Sequence, residues 1–188
     1  MTERYAAPGG RGDGTIPATW YGAPSALPVI GQQPGWLQVR LQTRPDGSTA
    51  WVRSMDMTVA ATPYRIDIDL SRKRLELLRQ GKVILDAPAG IGTAQDPTPS
   101  GDYFVAFFEQ APNPGYGPFV LVTSAHSNAI TDWAQSGDAL VGIHGPLGDD
   151  GSIGTEGAAL SHGCVRLHDN DLEQLRQVPA GTPIDIGA

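Results

Sequence analysis

The stretch Tyr64-Arg65-Ile66-Asp67-Ile68-Asp69-Leu70-Ser71-Arg72-Lys73-Arg74-Leu75-Glu76-Leu77-Leu78-Arg79-Gln80-Gly81-Lys82-Val83-Ile84-Leu85 decides the fold class. Its first seven residues alternate without a break. Ile66, Ile68 and Leu70 fall on one side, Arg65, Asp67 and Asp69 on the other. A period of two marks a half-buried strand, because successive side chains of an extended chain point to opposite faces. The charged run Ser71 to Arg74 turns the chain into Leu75-Glu76-Leu77-Leu78, and Gln80-Gly81-Lys82 turns it again into Val83-Ile84-Leu85. This is a β-meander. Further strands are expected at Tyr103–Phe108, Phe119–Thr123 and Ala139–His144, with a last short one around Ile184 and Ile186. The 24 Gly and 16 Pro are spread in short clusters between apolar runs, the pattern of many strands joined by turns. One helix is expected, where Asn170-Asp171-Leu172-Glu173 places a polar cap three residues before a Glu. Leu172, Leu175 and Val178 share a face, and Pro179 and Gly181 end it. The fold class is therefore mostly β, a sandwich or partial barrel with one C-terminal helix.

Outward from this stretch the chain divides into three. Residues 62–188 form the main domain. Residues 16–61 form a smaller strand-rich module, with Trp36 to Leu41 and Trp51 to Arg53 as strands around the turn Pro45-Asp46-Gly47-Ser48. Residues 1–15 are polar and Gly/Pro-rich and read as a flexible tail. The run LPVIGQQPGWLQVRLQTRPDGSTAWV (27–52) resembles a bacterial SH3-type module, with Gly-Trp before one strand and Gly-x-x-x-Trp-Val after the turn. A β-hairpin that merely pads the main domain is the alternative. Two Gly/Pro-rich connections, 109–118 and 124–138, are long enough to act as lids or binding loops. Tyr116, in the first of them, is placed to lie over a substrate.

Bulk properties exclude several functions. The net charge is −7, with 13 Lys+Arg spread along the chain. A nucleic-acid binder needs a basic face, so DNA, RNA and anionic lipid are discounted as partners. Apolar runs stop at about six residues, whereas a membrane-spanning helix needs roughly 20. The first 15 residues hold no apolar export core, so the chain is either cytoplasmic or begins after a removed export signal.

One cysteine, Cys164, lies in Ser161-His162-Gly163-Cys164-Val165-Arg166-Leu167. His144 ends the strand before it, with sixteen residues between His144 and Ser161. Thiolate is the reactive form of cysteine, and only a few per cent of a thiol of pKa ~8.5 is ionised at neutral pH. A histidine in reach can take the proton and later return it to a leaving amine. Attack on a carbonyl also develops an oxyanion that backbone N–H groups can hold, and Gly163 lets the backbone come close. Three plainer readings compete. Cys164 is a buried core residue; His144 is a satisfied strand-end residue; or His144, His162, His168 and Cys164 bind zinc.

The spacing His-(x16)-Ser-His-Gly-Cys-Val-Arg resembles the signature of the L,D-transpeptidase family (YkuD-type catalytic domain). Thr98-Pro99-Ser100-Gly101-Asp102-Tyr103 is similar to a second element of that family, and the resemblance covers about Pro63 to Ile186. It implies a mostly β domain with the cysteine in a cleft, Cys164 as nucleophile and His144 as general acid/base. It also implies backbone N–H groups of Gly163 and Cys164 at the oxyanion, with His162 beside them and Ser161 lining the site. Where some members have a serine, this chain has Gly145, so His144 would be oriented by a backbone carbonyl. Arg166 is either a carboxylate-binding residue or part of an ion pair with Asp169 or Asp171. The implied substrate is a peptidoglycan stem tetrapeptide. D-Ala leaves, a thioester forms, and an amine takes the acyl group to give a 3→3 cross-link. Water in place of the amine makes the enzyme an L,D-carboxypeptidase, and a non-catalytic wall-binding protein is the reading from another class. No metal or organic cofactor is required. Carbapenems are expected inhibitors, and the location is extracytoplasmic.

Overall fold

In the computed structural model, which describes residues 1–132 and 137–187, the expected β-meander is present. It follows seven strands of an N-terminal region: β1 (Thr2–Tyr5), β2 (Gly12–Ile16), β3 (Thr19–Trp20), β4 (Ala23–Pro24), β5 (Val29–Gln33), β6 (Trp36–Arg40) and β7 (Thr49–Arg53). The main domain holds β8 (Tyr64–Asp69), β9 (Arg74–Arg79), β10 (Lys82–Pro88), β11 (Ile91–Gly92), β12 (Gly101–Glu109), β13 (Val120–His126), β14 (Leu140–His144), β15 (Ala159–Ser161), β16 (Val165–Arg166) and β17 (Pro183–Gly187). The α-helix found among the described residues, α1 (Asp169–Gln174), continues into a 3₁₀ turn at Leu175–Gln177. It starts one residue before the expected cap: His168 occupies the cap position and makes no side-chain capping bond. Among the described residues, no helix is long and apolar enough to cross a membrane.

The main sheet is a single curled sheet in the order β10-β9-β8-β17-β12-β13-β14-β16. The alternation at its start is real. Ile66, Ile68, Leu75 and Leu77 are all buried, and cross-strand pairing sets Ile66 against Leu77 and Ile68 against Leu75. The C-terminal strand β17 inserts between β8, to which it is parallel, and β12, to which it is antiparallel. It thus places Ile184 and Ile186 in the same core. Leu172 and Leu175 cover that core from α1 and the turn after it. Each fully buried Leu or Ile contributes about 1.5–3 kcal/mol, so these twenty buried residues are the main cohesive element.

The N-terminal residues correct one expectation. Residues 1–15 are not a tail: β1 and β2 form a hairpin, and Tyr5 of β1 pairs with Trp51 of β7 in the five-stranded sheet β2-β1-β7-β6-β5. The reason is packing. Tyr5 is buried with its ring edge-on to Trp36 at 4.9 Å, and Ile16 joins Leu37, Val39, Leu41, Ala50 and Val52 in a small second core. Six buried apolar residues make a marginal core alone. Polar bonds tie this sheet to the main one: Arg40 with Asp102 at 3.0 Å, Arg44 with Asp138 at 3.0 Å, and the buried His126 with Asp46 at 2.5 Å. Between the two regions, Trp20 and Ala23 pack on a third cluster made by Phe107, Val120 and Val122 on the outer face of β12 and β13.

Candidate active site

β14 and β16 run parallel, and their register sets Ile143 against Val165 and His144 against Arg166. Ile143 and Val165 point into the core. The next residues on each strand must point the other way, so His144, Cys164 and Arg166 share the opposite face and line a cleft of about 450 Å³. The register also places Gly142 beside Cys164, and the Gly142 N–H donates to Cys164 Sγ at 3.4 Å. Parallel pairing thus closes the twenty-residue separation between the two chemical groups. A Cβ at Gly142 would come 3.0 Å from the Val120 side chain, so the glycine permits the close approach.

His144 is buried, and its Nδ1 lies 2.8 Å from the Gly145 carbonyl. A carbonyl can only accept, so Nδ1 carries the proton and Nε2 is the basic nitrogen. Burial lowers the imidazole pKa to about 4, the Gly145 bond raises it in part, and Arg166 lowers it further. Cys164 is partly exposed to the cleft, yet the surrounding protein pushes its thiol up; Gly142 and Arg166 pull it partly back. At neutral pH the resting site is a neutral thiol beside a neutral imidazole. Such a site can attack a carbonyl only by moving the proton as the bond forms.

The loop between Ser161 and Val165 sets the direction of the Cys164 side chain. Gly163 has φ +115°, a conformation natural to glycine. Ser161 Oγ donates to the Cys164 carbonyl at 2.5 Å and accepts the Gly163 N–H at 3.1 Å. This corrects the oxyanion expectation: the Gly163 N–H is already committed to Ser161, which leaves the backbone N–H of Cys164 as the remaining candidate of the expected pair. His162 lines the same cleft, from its outer edge. The chain bends at Gly163 instead of staying extended, so the His162 side chain swings to the rim, 63% exposed and 3.8 Å from Asp96. His168 faces Asp150 at 3.1 Å. The zinc reading needed these histidines to converge on Cys164. Among the described residues, no group of three or more His, Cys, Asp or Glu is arranged to hold a metal.

Arg166 resolves toward its structural alternative, with a different partner. It pairs with Asp149 and donates to the Pro146 carbonyl at 3.3 Å, with its side chain 11% exposed. It therefore braces the 146–149 loop that follows His144, while still lining the cleft. Tyr116 is a wall, not a free lid. Its backbone carbonyl accepts the Gly145 N–H at 2.8 Å, Gly115 accepts the Leu147 N–H at 2.8 Å, and its ring lies 4.6 Å from that of His144. Gly145 is required here. A Cβ there would meet Gly117 N at 2.6 Å and Tyr116 C at 2.7 Å, so the serine of some family members would not fit this backbone.

Sequence reasoning missed Thr98. Its Oγ1 donates to the Gly163 carbonyl at 2.9 Å and accepts the Gly92 N–H at 2.8 Å, fully inside the protein. The signal was its place in the Thr-Pro-x-Gly element, which was noted without a role. Thr98→Val keeps the shape but strands both backbone groups, at about 1–3 kcal/mol for a buried unpaired polar group. The expected outcome is a melting temperature several degrees lower, with cysteine acylation by a β-lactam slowed ~10-fold because Gly163 loses its anchor. Acylation at the wild-type rate would show that the loop holds its shape without Thr98.

The curled sheet carries a cleft in which Cys164 and His144 share one face, and comparison with known proteins places this architecture. The L,D-transpeptidase catalytic-domain family (YkuD) matches residues 63–186, and the chain belongs to that family. YkuD of Bacillus licheniformis is 33% identical over 125 residues, covering 66% of this chain and 66% of that protein. YkuD of Bacillus subtilis is 32% identical over the same shares. The chain thus spans about two thirds of the length of these relatives. Among solved structures, an L,D-transpeptidase from Mycobacterium smegmatis is 17% identical, with TM-score 0.52 over 87% of this chain and 94% of that one. L,D-transpeptidase 3 from Mycobacterium tuberculosis, in complex with a faropenem-derived adduct, is 14% identical, with TM-score 0.55 over the same shares. These two likenesses concern the fold.

Proposed function

We propose that this protein is a peptidoglycan L,D-transpeptidase that forms 3→3 cross-links through a Cys164 thioester, and that it works outside the cytoplasmic membrane. The observation that carries this reading is the parallel register that puts His144, held by Gly145, on one cleft face with Cys164. Cys164 Sγ attacks the carbonyl between the L-centre of the stem's diamino acid and the terminal D-Ala. His144 Nε2 takes the thiol proton and passes it to the departing amine of D-Ala, leaving a thioester. An amine of a second stem then attacks, giving its proton to His144, and the sulfur leaves and is reprotonated. The Cys164 N–H serves the oxyanion, and Ser161 holds the loop. β-Lactams act as acylating inhibitors at the same sulfur. The N-terminal sheet is proposed to be an SH3-like module that holds the wall polymer.

A single incubation tests this. Purified disaccharide-tetrapeptide should yield a cross-linked dimer that has lost one D-Ala, read by mass spectrometry. A tripeptide monomer instead would select the L,D-carboxypeptidase alternative. Unchanged tetrapeptide, together with no adduct on Cys164 after exposure to a carbapenem, would overturn the enzyme reading in favour of a wall-binding protein.

A further inference from the structure

The N-terminal region places an aromatic ring in the catalytic cleft. β3 and β4 pair Trp20 with Ala23, so Tyr21 and Gly22 form a two-residue hairpin loop. Both have positive φ, +48° and +83°, as a type I′ turn demands. That turn favours Asn, Asp or Gly at its first central position, and a bulky residue with positive φ is unusual. A tyrosine therefore occupies a position that backbone preference assigns to something smaller. Residues held in such conformations cluster at functional sites.

The placement is specific. Trp20 is seated on Phe107, ring centroids 5.9 Å apart, and Tyr21 stands 6.0 Å from Phe107 on the cleft side. Tyr21 lines the same cleft as Cys164, with 51% of its surface exposed. Phe107 pairs with Val122, and Val122 pairs with Gly142, the residue beside Cys164. Three strand spacings separate Phe107 from Cys164, ~14 Å at the distance between neighbouring strands. Tyr21 thus marks the end of the cleft remote from the chemistry.

We infer that Tyr21 is a substrate-contacting specificity residue, whose ring stacks on the sugar that carries the donor stem peptide. This rests on the transpeptidase reading above. Three stem residues span ~10 Å in extended form, so a donor acylating Cys164 and running across β14 and β13 toward Phe107 brings its peptide–sugar junction to Tyr21. A half-exposed aromatic face suits the flat apolar side of a sugar ring, a large contact at low entropy cost. A cationic amine is the less suitable occupant. The carboxylate facing this end, Asp138, is already bonded to Arg44 at 3.0 Å and lies 3.1 Å from His126.

The test compares the whole chain with its Tyr21→Asn variant, which removes the ring while supplying a residue the turn prefers. Two substrates are used, the disaccharide-tetrapeptide and the same tetrapeptide without sugars. Expected are a melting temperature equal to or above wild type, unchanged β-lactam acylation, a ~10-fold lower kcat/KM on the disaccharide substrate, and a change within about twofold on the free peptide. Tyr21→Phe should stay near wild type on both. Equal losses on both substrates would mean that the ring touches peptide, and loss on neither that it touches nothing; either overturns the inference. Calorimetric binding of both ligands to Cys164→Ala, with and without Tyr21→Asn, reads the same contrast without turnover. A sugar-dependent loss there sustains the inference even if the transpeptidase reading fails, and its absence overturns it.

Discussion

Cys164→Ala is expected to abolish turnover and β-lactam adduct formation while leaving the fold as it is. The reaction proposed for this chain has no second nucleophile, so the loss should be at least ~10⁴-fold. The structural cost should be small. Sγ accepts one bond, from the Gly142 N–H at 3.4 Å, and Cys164 is partly exposed to the cleft, where water can take over that bond. Melting curves of the two proteins should coincide within about 2 °C, well below the shift a lost core side chain produces. Turnover near wild type would end the cysteine mechanism. A fall of many degrees would return Cys164 to the status of a core residue.

His144→Ala is expected to slow Cys164 acylation by at least ~10²-fold, the lower end of general-base effects. His162→Ala should do far less, because that ring sits at the rim beside Asp96. The desolvation of the Cys164 thiol by the surrounding protein changes what alkylation will show. Its thiol is raised, not depressed, so the rate with iodoacetamide should keep climbing above pH 8.5 in wild type and variant alike. The base acts during bond formation and does not hold a resting thiolate. Burial gives a second signature. An unfolded imidazole protonates near pH 6.5, and the buried His144 only near 4. Its contribution to stability is therefore whole above pH 6.5 and is lost as pH falls from there toward 4, by at most about 3 kcal/mol. Urea unfolding of wild type and His144→Gln at pH 7.5 and pH 4.5 checks this. Wild type should lose more stability than the variant over that interval. Equal losses would show that His144 is not buried as a neutral base.

The sequence by itself determined the strands and the chemical groups. The alternation from Tyr64 to Leu70 reported a buried face, because side-chain direction in a strand is a local, period-two property. The Ser-His-Gly-Cys run and the upstream histidine supplied the candidate reacting residues, and the resemblance at Gly145 implied a carbonyl beside His144, where the Gly145 carbonyl stands at 2.8 Å. Long-range pairing was not legible. Parallel register between β14 and β16, the slot of β17 beside β8, and the pairing of Tyr5 with Trp51 join segments far apart in the chain, and no local pattern encodes them. For that reason the first fifteen residues read as a tail while the fold makes them a hairpin. Roles that depend on who sits opposite were decided the same way. Arg166 found Asp149 and not Asp169 or Asp171, Thr98 found the Gly163 carbonyl, and Tyr21 crossed from the N-terminal region into the cleft. A side chain's chemistry is written in the sequence, but its partner is fixed only when the chain has closed on itself.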